Sequence, residues 1–169
     1  MLRPALFAAA LSLTALASAA GAEDLNRIVL NGSDATLGVN AVADEGEGEP
    51  RSIGSYALRL YKAGDPSFPY DAFVAGAVRP RDGTLEALKF ADIDRDGRPE
   101  VIVVARSAGT GGYLSADAFR FQKDALVLAA SKSGLPADAD PVAAATDLAG
   151  SLIGQPLRRT GALRIEPLA

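Results

Sequence analysis

Along this chain the apolar positions fall into short runs, alternating or continuous, separated by glycine, proline and aspartate. That is the period of strands rather than of helices. Arg27–Leu30 (RIVL) meets Asn31-Gly32, a pair that accepts positive φ and so predicts a hairpin turn. A second strand is expected from Ala35 to Val42, and the acidic, glycine-rich Asp44–Pro50 (DEGEGEP) reads as a surface loop. Ser55–Ala63 (SYALRLYKA) sets Leu58 and Leu60 on one face and Arg59 on the other, and Lys62 on the leucine parity marks where the strand reaches solvent. Gly64–Asp71 carries two prolines and reads as a loop, with Phe68 and Tyr70 expected to tuck it against the core. Phe73–Val78 predicts a strand ended by a turn at Arg79–Gly83 (RPRDG).

Leu85–Phe90 fits a strand because the Asp96-Gly97 turn separates it from Glu100–Ala105 (EVIVVA). The latter is apolar on both faces, as a central strand would be. Tyr113–Gln122 and Ala125–Ala130 predict another hairpin, with Asp124 near its turn. Asp140–Gly154 is different: Asp140 can cap, Pro141 suits the first helical position and Gly154 can close a helix of about three turns. A short strand is expected near Leu163–Ile165. About seven or eight short strands with turn signals predict an all-β fold, a single antiparallel sandwich or flattened barrel with one short C-terminal helix.

The first residues stand apart. Arg3, an apolar run from Pro4 to about Leu16, and small residues at Ala17-Ser18-Ala19 and Ala20-Gly21-Ala22 predict an export signal over residues 1–22. Cleavage is expected before Glu23, with Ala19 as the alternative site and an uncleaved anchor as the competing reading. Residues 23–169 then form one domain of 147 residues (169 − 22), enough for a sizeable core. Loss of Arg3 takes the net charge from −4 to −5. An acidic chain without a basic patch argues against nucleic acid and membrane partners. The sequence leaves the oligomeric state open, a homodimer included. Cysteine is absent, which a periplasmic protein held by its core tolerates. Histidine is absent too, which excludes Ser-His-Asp and Cys-His catalysis and Cys/His zinc sites.

Two loops carry candidate chemistry. In FADIDRDGRPEV, Asp92, Asp94 and Asp96 alternate ahead of Gly97, and Glu100 and the Arg98 carbonyl could add hard oxygen ligands for Ca²⁺. This is not an EF-hand, because loop position twelve counted from Asp92 is Val103. The competing reading is a plain turn, its aspartates bonded to their own backbone and neutralised by Arg95 and Arg98. An acid–base pair of carboxylates is disfavoured, since a turn between strands rarely supplies a cleft. In the second loop, RSAGTGGY, Gly109, Gly111 and Gly112 let the backbone enter a narrow space. Ser107 and Thr110 add hydroxyls, and Tyr113 adds a rigid ring with a polar tip. The bland alternative is a connection that satisfies backbone geometry, with Tyr113 capping the core.

The block from Phe90 to Phe119 joins the aspartate turn, the apolar strand, the glycine–tyrosine loop and the next strand in one order. In this it resembles the periplasmic inhibitors of invertebrate-type lysozyme. The resemblance implies an antiparallel β-sandwich, no catalytic residues, no required cofactor and an invertebrate-type lysozyme as partner. It implies that a Ser-Gly-x-Tyr core enters the lysozyme cleft. The matching residues are Thr110-Gly111-Gly112-Tyr113, with threonine keeping the hydroxyl of the serine, and Ser107 in a supporting place. No lysine lies in this loop, unlike the related inhibitors of other lysozyme classes. A secreted calcium-binding structural or adhesion module built on residues 92–100 is the alternative function.

Overall fold

The computed structural model describes residues 27–153. The expected export signal, the Gly154 stop and the strand near Leu163–Ile165 lie outside the described residues. Strands follow one another in chain order: β1 (Val29–Asp34), β2 (Val39–Glu45), β3 (Ile53–Lys62), β4 (Phe73–Asp82), β5 (Thr84–Ala91), β6 (Glu100–Arg106), β7 (Leu114–Gln122) and β8 (Ala125–Leu135). The helix α1 (Pro141–Ile153) comes next. Two four-stranded antiparallel sheets result, β1-β2-β3-β4 and β5-β6-β7-β8, so the fold is all-β and neither sheet closes into a barrel.

Strand β6 explains the architecture. Val101, Val103 and Ala105 point between the sheets, where they pack with Ala41, Leu58, Leu60 and Phe119. Ile102 and Val104 point the other way, onto a second cluster with Ala118, Ala145 and Ala149 of α1. A strand covered on both faces needs apolar residues at both parities, and EVIVVA supplies them. Asp140 Oδ1 accepts the Val142 amide at 2.9 Å, the cap expected at the helix start.

Several local expectations are corrected. Asn31-Gly32 does not turn. Both residues lie within β1, and the hairpin closes over residues 35–38 with Gly38 at φ 65° and the Leu37 amide on Asp34 Oδ1 at 2.8 Å. Gly32 serves close approach instead, since a Cβ there would lie 3.0 Å from the Phe90 ring of the facing sheet. Asp44 and Glu45 are buried in β2, not in a surface loop. Arg59 pairs with Asp44 at 2.9 Å, and Glu45 Oε1 accepts the Leu85 amide at 2.7 Å. The predicted turn at Arg79–Gly83 is mostly strand: β4 runs to Asp82, and Arg81 turns inward to donate to the carbonyls of Ser55 and Arg51. Phe68 and Tyr70 stand in solvent rather than tucking inward. Tyr70 meets Tyr61 edge-on, at 5.5 Å between centroids.

Candidate functional site

The sheet change happens at Gly83, where φ is 90°. A Cβ at this position would lie 1.9 Å from the Arg106 carbonyl oxygen, so only glycine lets the β4–β5 link pass against the foot of the β6–β7 loop. That loop is the glycine–tyrosine segment, residues 107–113. Its neck is closed by the Ser107 amide donating to the Tyr113 carbonyl at 2.8 Å. A turn within it is closed by the Gly112 amide on the Gly109 carbonyl at 3.1 Å, with Gly112 at φ 53°.

Arg106, the last residue of β6, fixes the loop from below. Its Nη1 donates to the Gly112 carbonyl at 2.9 Å and to the Ala137 carbonyl at 3.3 Å. Its Nε and Nη2 grip the Glu86 carboxylate, the latter at 2.7 Å. The Glu86 bond pushes the Arg106 guanidinium above its ordinary value. Sequence reasoning missed Arg106 and Glu86. No local pattern marks them: they meet across the β5–β6 pairing, where β5 breaks register between Leu85 and Ala87, at Glu86.

On this support Tyr113 is exposed by 54 %, and Ala108, Gly109, Thr110 and Gly111 are exposed with it. The Tyr113 ring lies over Gly111. The reading of Tyr113 as a cap on the core therefore does not hold. Among the described residues the Thr110 and Gly111 amides and the Thr110 hydroxyl have no protein partner, leaving donors beside an exposed ring. Gly112 is different, because its amide is spent inside the loop.

The aspartate turn lies at the opposite end of the same sheet, between β5 and β6. Asp92, Asp94 and Glu100 each offer an oxygen, all within 4.8 Å of one another, and Asp96 stands outside this group. The carboxylates are engaged. Asp92 accepts the Asp96 and Gly97 amides at 3.1 and 2.9 Å, and Asp96 accepts the Arg98 amide at 2.8 Å. Glu100 is fully buried and accepts the Ile93 amide at 3.0 Å. Arg120 of β7 bridges Asp94 and Glu100, the latter at 3.3 Å. Burial pushes the Glu100 carboxyl above its ordinary value. Arg120, rather than Arg95 or Arg98, is the cation on these carboxylates.

Residues 33–148 match the family model described as periplasmic lysozyme inhibitor of I-type lysozyme. The chain is similar to the crystal structure of such an inhibitor from Aeromonas hydrophila, with 42 % identity and a TM-score of 0.63, over 69 % of this chain and 98 % of that one. The A. hydrophila inhibitor solved in complex with Meretrix lusoria lysozyme is similar to the same degree, with 42 % identity and a TM-score of 0.63, over 69 % of this chain and 94 % of that one. No curated protein gives a significant match.

Proposed function

The chain belongs to the family of periplasmic lysozyme inhibitors of I-type lysozyme, and from that premise we propose that residues 107–113 enter the active-site cleft of such a lysozyme and block peptidoglycan hydrolysis. The family is one of inhibitors, not enzymes, and its compartment is the periplasm. The A. hydrophila inhibitor, 42 % identical, has been solved in complex with Meretrix lusoria lysozyme.

The observation that carries the reading is Tyr113, more than half exposed on a loop that Arg106 holds in place. Glycosidase clefts are built around a pair of carboxylates. The free amides of Thr110 and Gly111 and the Thr110 hydroxyl are donors, which carboxylates accept. The tyrosine ring supplies apolar area with few torsions to freeze. The loop holds no glycosidic bond, so it occupies the cleft without being turned over. The test is inhibition of M. lusoria lysozyme by wild type and Y113A, with circular dichroism to establish that both fold. Y113A should lose at least about 2 kcal/mol of binding, roughly thirtyfold in affinity. Equal inhibition by two folded proteins removes the loop from the mechanism.

A further inference from the structure

A groove runs beside Tyr113, lined by Asp82, Ser107, Ser115, Ser133 and Gly134 as well as by the tyrosine itself. A break in strand register builds it. Leu114 pairs with Leu135 and Ala116 with Lys132, so Ser133 and Gly134 together oppose Ser115. Gly134 takes φ 69°, the left-handed backbone that such a bulge needs. The opposite wall is Asp82, the last residue of β4, held there by the passage through Gly83.

The polar groups of this groove are unspent. Among the described residues Asp82 has no ion pair, and the hydroxyls of Ser107, Ser115 and Ser133 have no protein partner. The arginines of the neighbouring strands are engaged elsewhere: Arg79 with Asp117 at 3.3 Å, Arg81 with Glu45 at 3.6 Å, and Arg106 with Glu86. One exposed carboxylate therefore faces hydroxyls that can all accept hydrogen bonds, next to an aromatic ring. That set fits a cation with several donors, and the ring flank favours the same sign of charge.

We infer that this groove is a second contact of the inhibitor, taking a lysine or arginine side chain from the rim of the lysozyme cleft while the loop occupies the cleft itself. The inference rests on the loop-insertion reading, because Tyr113 belongs to both surfaces. Asp82 is then a specificity-determining residue: it favours lysozymes that carry a cation at the matching rim position. A rim charge of this kind acts through encounter rate and is screened by salt.

The experiment measures association and dissociation rates of M. lusoria lysozyme with wild type, D82N, S133A and Y113A, at low and at high salt. Melting temperature serves as the folding control, and Asp82 is exposed enough for the isosteric asparagine to be tolerated. D82N should bind about fivefold more weakly at low salt, with a loss that shrinks as salt rises. S133A should weaken binding by a smaller factor that salt leaves unchanged. If D82N binds like wild type at low salt while Y113A is weakened, the groove is not a contact and the loop reading stands. If Y113A also binds like wild type, the loop reading falls and the groove inference with it.

Discussion

The ring of Tyr113 lies against Gly111 so closely that a Cβ on Gly111 would come within 2.3 Å of Tyr113 Cε2. The glycine is therefore the seat of the tyrosine, a role distinct from fitting a cleft wall. In G111A the exposed ring swings away at little cost to stability, but its presented pose is lost. Inhibition should fall nearly as far as in Y113A, by about tenfold or more, with the melting temperature unchanged. Residual-activity titration against an I-type lysozyme checks the first, and calorimetry the second. Full inhibition by G111A would show that the ring finds its pose without the seat.

Arg106 and Glu86 act on the same loop without touching its tip. Holding the loop before encounter spares part of the ordering cost of binding. R106A should lose about 1 kcal/mol of affinity, roughly fivefold. Amide hydrogen exchange should quicken at residues 107–113 and stay slow in β6. Unchanged exchange in the loop would mean that the neck bond between Ser107 and Tyr113 suffices.

Across the sandwich, the Tyr56 hydroxyl donates to Asp117 Oδ2 at 2.7 Å, joining β3 to β7, and Ser131 donates to the other carboxylate oxygen at 2.6 Å. Burial first, and then the Asp117 charge, push the Tyr56 phenol well above its ordinary value of 10.0. The folded state thus keeps a proton that the unfolded state releases. Stability should be full below pH 10.0 and decline as pH rises above it. Y56F should cost about 1–2 kcal/mol at neutral pH and remove its share of the alkaline decline. Urea melts at neutral and alkaline pH measure both.

Because β6 is covered on both faces, neither parity of its side chains is spare. I102A should destabilise by about 2–5 kcal/mol through the α1 side, and V103A should also shift the urea midpoint through the inter-sheet side. An unmoved midpoint in either variant would contradict the corresponding packing.

Calcium has to compete with Arg120 for Asp94 and Glu100. Millimolar calcium should therefore leave the wild-type melting temperature unchanged, and the R120Q variant should be the one that responds. A wild-type shift that D94A abolishes would establish a calcium site at Asp92, Asp94 and Glu100.

The strands that pattern reveals best are those whose environment is uniform. Leu58 and Leu60 alternate with Arg59 because one face of β3 is core, and EVIVVA reads as central because both faces of β6 are covered. The failures share one physical origin, residues whose role depends on a distant partner. Gly32 is a glycine for the sake of Phe90, and Glu45 is buried because the bulged start of β5 leaves the Leu85 amide to be satisfied. Arg81 looks like a turn residue until the carbonyls it serves are in place. The β6–β7 connection was legible as a loop because three glycines interrupt two apolar strands. Its support was not, since Glu86 and Arg106 lie 20 residues apart and meet only through strand pairing.

Among the described residues the chain crosses between sheets at one link, Gly83, and each strand pair within a sheet joins consecutive strands. Each sheet is thus a meander whose pairings span short stretches of sequence. Contact order is kept low within each half, and the long-range step reduces to docking one finished meander on the other. A backbone cut after Gly83 would divide the described residues into 27–83 and 84–153, each holding the full strand set of its own sheet. Mixed together, they are natural candidates for complementation. Lysozyme inhibition absent from either fragment alone and regained on mixing would report docking of one meander on the other.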